Sequence, residues 1–201
     1  LKFLEKYRKY ILNQEIYQSL SMVNYSLKFL VENPVFEEKV IGDKDYIKHD
    51  ETDYDILKVI TKDAKISILD LAGKIGLSSK ATLERLRNLK KKGFILGLNA
   101  LIDSEKIGYY FYKIDFYLNN LTRIKEMHAF AKYHKKIAYL MKTIGGPDYE
   151  IEVYVKSADE VKEIVNEIKE KFPGVVEFSR VHLVEKTLKQ VYLPGEHLNK
   201  K

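Results

Sequence analysis

Apolar residues at positions 3, 4, 7, 10 and 11 recur with the period of a helix, so the chain is expected to open with an amphipathic helix over 2–12. Residues 15–31 then read as extended, with Tyr25, Leu27, Phe29 and Val31 on one face and a turn near Val23 and Asn24. Residues 32–52 hold Asn33-Pro34, the Gly42-Asp43-Lys44-Asp45 run and many charges, the composition of a connector. Three helix patterns follow. Ile56, Leu57 and Ile60 mark the first. Ser67 caps the second with Asp70 three residues on, and Ile68, Leu71, Ala72 and Ile75 form its stripe. Gly76-Leu77-Ser78 is a tight turn into the third, where Thr82, Leu86 and Leu89 form the packing face between a Ser78 cap and a Gly93 stop. Phe94 to Leu98 reads as a short strand leaving this group.

Beyond Gly108 the period changes. Residues 109–118 alternate as a strand, 123–133 are helical, and 138–143 form a strand. Gly145-Gly146-Pro147-Asp148 turns the chain, 149–155 is another strand, 158–172 is a strongly amphipathic helix, and 175–184 supplies a last strand. The fold class is therefore α+β, a helix-turn-helix unit followed by a ferredoxin-like βαββαβ unit. The predicted boundaries are 1–50 for an upstream segment, 51–98 for the helix-turn-helix, 99–188 for the ferredoxin-like unit and 189–201 for a tail. The two helices of that unit cover one face of its antiparallel sheet. The other face needs cover, which predicts a homodimer or higher oligomer.

A faint repeat at an offset of 124 sets Leu20, Asn24, Tyr25, Leu27 and Val31 against Ile144, Asp148, Tyr149, Ile151 and Val155. On one reading residues 1–33 are what survives of an upstream, degenerate ferredoxin-like copy, and the natural chain extends before Leu1. On the other the matches are chance, because any two amphipathic hairpins share some.

Charge adds an address to this pattern. The chain of 201 residues has a net charge of +6. Residues 78–92 hold six bases (Lys80, Arg85, Arg87, Lys90, Lys91, Lys92) against Glu84 alone, a local +5. A basic helix placed second in a helix-turn-helix points to double-stranded DNA. At its exposed start Ser79, Lys80, Leu83 and Arg87 suit base edges in the major groove, with Leu83 or the Thr82 methyl against thymine. Arg85, Asn88, Lys90, Lys91 and Lys92 suit phosphates, which give affinity with little sequence information. Arg85 has an alternative role as a brace to a carboxylate such as Asp53 or Asp55, and a solvated helix face is the blander reading of the whole set.

The chain contains no cysteine, which excludes disulfides and thiolate metal sites and fits a cytoplasmic protein. No apolar run approaches the roughly 18 residues that cross a bilayer, so no membrane partner is expected. Its five histidines (His49, His128, His134, His182, His197) show no metal-ligand spacing on one element. Neither metal, cofactor nor catalytic residues are predicted.

Asp53-Tyr54-Asp55-Ile56-Leu57, Ile66-Ser67, Leu71-Ala72, Gly76-Leu77-Ser78, Glu84-Arg85-Leu86, Leu89, Gly93-Phe94-Ile95, Ile102-Asp103, Gly108 and Gly145-Gly146-Pro147-Asp148-Tyr149 form an ordered series across about residues 50–188. In that order and spacing they resemble the Lrp/AsnC (feast/famine) transcription regulators. The resemblance implies a winged-type helix-turn-helix, a linking strand, a dimerising ferredoxin-like domain and an amino-acid effector bound near the turn between its central strands. Carried over, that turn is Gly145, Gly146 and Asp148. The residues alone also allow a plain hairpin turn there. Pro147 stands where the family more often has Tyr, and residues 1–50 precede the usual start. Two other function classes are open to this sequence: an αβ protein binding ligands or partners without DNA, and an enzyme on the same architecture, such as a sirohaem decarboxylase, whose Arg-rich aromatic signature does not resemble residues 93–99.

Overall fold

The computed structural model describes residues 2–42 and 47–193. Residues 43–46 of the predicted connector and 194–201 of the predicted tail, with His197, lie outside the described residues. The chain divides into two units, one of residues 1–43 with 103–185 and one of residues 44–102 with 186–201.

The smaller unit is helical because its punctuation is local. After α1 (Lys2–Tyr7) in the other unit, α2 spans Glu51–Ile60 and begins at a reciprocal capping box. The Asp50 carboxylate accepts from the Asp53 N–H and the Asp53 carboxylate accepts from that of Asp50. Helix α3 (Ile68–Ile75) starts where the Ser67 hydroxyl accepts from Asp70 N at 3.1 Å, and Gly76 ends it at φ 75°, the left-handed conformation that costs glycine least. Ser78 caps α4 (Ser79–Lys91), accepting from Ala81 N at 3.2 Å. Ile56, Leu57, Leu71 and Leu89 form the core.

Two readings change here. Phe94 and Ile95 do not begin a strand: both amides donate to the Leu89 carbonyl and both side chains pack on the helical core. Among the described residues no strand lies between α4 and residue 110. The predicted tail also contributes to folding, since Leu193 is 8% exposed within that same core.

The larger unit has the predicted βαββαβ order, with β3 (Tyr110–Leu118), α5 (Ile124–Tyr133), β4 (Ile137–Ile144), β5 (Tyr149–Val155), α6 (Ala158–Lys171) and β6 (Val176–Leu183). Alternation sends Ile114, Phe116, Tyr149, Ile151 and Val153 into one core with Met127 of α5 and Val161, Ile164 and Ile168 of α6. Phe111, Lys113, Asp115 and Tyr117 consequently face the other side.

The upstream residues behave differently from the hairpin copy. Strands β1 (Gln18–Asn24) and β2 (Lys39–Gly42) extend the same antiparallel sheet, in the order β2-β1-β4-β5-β3-β6, with Met22 opposite Met141. The strand runs through Asn24, so the predicted turn at Val23 and Asn24 is displaced to Ser26, whose φ is 66°. Residues 25–31 are not the predicted strand. Tyr25 is buried in the sheet's core, Lys28–Leu30 form a short 3-10 turn, and Lys28, only 2% exposed, donates from Nζ to the Ala131 and Lys132 carbonyls at 3.0 and 2.7 Å. A cation on the C-terminal carbonyls of α5 satisfies groups that the helix itself leaves unpaired. That anchor, not a second hairpin, organises residues 25–31.

Candidate nucleic-acid interface

Helix α4 presents two different faces. Thr82 (0% exposed) and Leu89 (1%) are buried, and the Thr82 hydroxyl donates to the Ser78 carbonyl at 3.0 Å. The Thr82 methyl is therefore unavailable to thymine, contrary to one reading of the sequence. Ser79, Lys80, Leu83, Arg87, Asn88, Lys90, Lys91 and Lys92 are exposed. Among the described residues Lys80, Arg87, Lys90 and Lys91 take part in no ion pair or side-chain hydrogen bond, leaving four solvated cations on one helix. Lys92 differs, since its Nζ donates to the Lys48 carbonyl at 3.2 Å.

Arg85 takes the bracing role. Its Nη1 donates to Asp50 Oδ1 and Oδ2 at 2.9 and 2.8 Å and to Asp53 Oδ1 at 2.8 Å. Asp55 instead pairs with Lys58 at 2.8 Å. The guanidinium thus joins α4 to the cap of α2, and its own pKa is raised by those two carboxylates. Asp50 is held below the ordinary carboxylate range, first by the Asp53 amide and then by Arg85. The role of Asp50 escaped the sequence reading, which named only Asp53 and Asp55 as partners. The capping spacing of Asp50 and Asp53 was the available signal.

At the β4–β5 turn, Gly145 has φ 76° and the Thr143 hydroxyl donates to the Pro147 carbonyl at 2.8 Å. Asp148 Oδ2 accepts from Leu118 N at 2.8 Å, and the Asp148 amide donates to the Phe116 carbonyl. Gly146 lies against Tyr17, where an added Cβ would fall 2.6 Å from the ring. Gly145, Gly146 and Asp148 thus share one turn, with one Asp148 oxygen used by the fold.

Beside that turn the helix-free face carries charges that sequence reasoning missed. Lys113 Nζ sits 2.9 Å from Glu150 Oε2 and 3.7 Å from Asp115 Oδ1, His182 Nε2 lies 3.2 Å from Asp115 Oδ2, and the Tyr17 hydroxyl bonds to Lys113 Nζ. Burial, followed by the Glu150 charge, pushes Glu152 up to about 7. Polar residues alternating with Ile114 and Phe116 along β3 were the signal for this cluster. No group of side chains among the described residues is arranged to hold a metal ion, and no helix among them is long and apolar enough to cross a membrane.

A capped helix-turn-helix with a cationic second helix, joined in one chain to a ferredoxin-like sheet, defines a DNA-binding regulator architecture. The winged helix-turn-helix DNA-binding family model matches residues 49–95. The HTH-type transcriptional regulator FL11 of Pyrococcus horikoshii is 26% identical over 141 residues, covering 70% of this chain and 92% of its own. E. coli AsnC shares the fold at a TM-score of 0.63 and 17% identity, over 73% of this chain and all of that one. The transcriptional regulator NMB0573 of Neisseria meningitidis, solved as an L-Met complex, does so at 0.65 and 21%, over 75% and 99%. In sequence the chain is thus similar to HTH-type transcriptional regulators, and it shares its fold with E. coli AsnC.

Proposed function

We propose that this chain regulates transcription by holding double-stranded DNA with α4, Lys80 and Arg87 reading base edges with Ser79 and Leu83 while Lys90, Lys91 and Lys92 lie on phosphates. Asn88 joins the phosphate set, and Arg85 acts behind it as the brace that fixes α4 on α2. The observation that carries this reading is the row of solvated, unpaired cations on a helix capped by Ser78 and launched from the Gly76 turn. Arginine matches guanine with two bonds, whereas lysine gives a point charge that suits phosphate.

One such helix binds weakly, so the proposal includes a homodimer that pairs two copies through the helix-free face of the sheet and presents two recognition helices. The test is a gel shift on palindromic duplexes at low and raised salt. Salt-sensitive retention is expected, and no retention at low salt would refute DNA binding.

An amino-acid effector is the second part of the proposal, supported by the regulator of like fold solved with L-Met. The glycine amides of the turn suit a carboxylate, and Asp148 suits an ammonium group. Light scattering and melting with a panel of amino acids check this. A change in particle size or melting temperature with at least one of them is expected, and no change with any leaves Gly145, Gly146 and Asp148 as a hairpin turn.

A further inference from the structure

Residues 11–17 have no helix or strand of their own, yet Glu15 and Tyr17 are tied to the helix-free face of the sheet. Glu15 pairs with Arg180 of β6, and the Arg180 guanidinium lies over the rings of Tyr117 and Phe178 at 5.1 and 5.6 Å. Two residues later the Tyr17 hydroxyl bonds to Lys113 of β3, the Tyr17 ring lies 4.9 Å from that ammonium, and its edge meets Gly146 of the β4–β5 turn. The chain then enters β1 alongside β4. It has passed from β6 by way of β3 to the β4–β5 turn.

The consequence shows in what lies beneath. Asp115 and Glu150 point to the face without helices, where a carboxylate would ordinarily be wet, but their side chains are only 5% and 3% exposed. Tyr17 roofs them. A sheet that packs on another sheet needs its face clear, because the two layers stand about 10 Å apart with interdigitated side chains and no room for a third layer.

We propose that residues 13–17 form an intramolecular strap that competes with a second copy of the chain for this face, so that release of the strap sets the strength of self-association. The inference rests on the dimer reading above and adds to it a regulator carried by the chain itself. The strap is held lightly enough to open. Glu15 and Arg180 are each 43% exposed, and an exposed pair of that kind shifts an equilibrium by no more than about fivefold. Because two straps must open for one dimer, loss of the pair changes the dimer constant by up to about 25-fold.

The chain lacks cysteine, which permits a reversible design and its opposite. Glu15→Lys sets two cations against each other and releases the strap. Glu15→Cys with Arg180→Cys, joined by a short bis-maleimide, locks it. Dimer Kd is measured by sedimentation for wild type, E15K and the double variant before and after linking, with melting curves to confirm folding. E15K is expected to lower Kd by about tenfold, and linking is expected to raise it by at least as much over the unlinked double variant. Equal Kd values in a chain that dimerises would overturn the strap and leave the dimer reading standing. Weaker dimers in E15K would make residues 13–17 part of the interface and overturn competition. Monomers throughout, at every concentration, would sink the dimer reading and this inference with it.

Discussion

Replacing Lys90 and Lys91 together by glutamine removes two of the four unpaired cations of α4 while keeping side chains of similar length and helix propensity. If both lie on phosphates, each lost contact lowers the slope of log K against log salt by about 0.9, or about 1.8 for one helix and about 3.6 for the pair in a dimer. From 50 to 200 mM salt, a fourfold rise, the affinity gap between wild type and variant should therefore shrink by about twelvefold per helix. Fluorescence anisotropy with a labelled duplex over that range measures it directly. The defect should be the same on unrelated duplexes, because phosphates carry no sequence information. A variant that keeps the wild-type slope would refute the placement of these lysines on DNA, and α4 would then be a solvated helix face.

Arg85→Met should cost about 1–3 kcal/mol, because buried Asp53 loses its cation, and should leave the salt slope of any remaining binding unchanged; urea unfolding gives the first quantity. The same change should flatten the acid limb of stability, since Asp50, held low in the fold, contributes stability above the ordinary carboxylate pKa and loses it as pH falls through its lowered value. Leu193→Ala should destabilise the helical unit by about 2 kcal/mol, seen as a lower midpoint in urea, whereas a dispensable tail would show no effect. Burial pulls Lys28 down to about 8 from an ordinary 10.5, so between those values the unfolded chain holds the extra proton and stability should rise with pH. Lys28→Met should abolish that rise in thermal melts recorded from pH 7.5 to 10, and an identical profile in the variant would contradict it.

Elements whose instructions lie within a few residues were legible. The Ser67 and Ser78 caps, the Gly76 turn and the alternation that ends at the 149–155 strand each need only local spacing. The upstream segment was not legible, because β1 takes its identity from β4, more than a hundred residues away, and Lys28 looks like any surface lysine until α5 is there to be capped. Phe94 and Ile95 show the converse failure. Their apolar run has the composition of a strand, but the helical core beside them offers a better burial than a ladder without a partner. For the interface, charge placed the cations on α4, yet which arginine braces and which reads depended on packing. Arg85 faces the α2 cap and Arg87, half a turn on, faces water. Tyr17 over Gly146 was invisible for the same reason as β1.

Selection from a random duplex library separates a helix α4 that reads sequence from one that supplies charge alone. Wild-type protein is predicted to enrich a recurring site with two half-sites about 10 base pairs apart, and Arg87→Ala is predicted to enrich a site altered within each half. Binding that retains DNA but enriches no site, or an Arg87→Ala variant that selects the wild-type site unchanged, would refute base reading by α4.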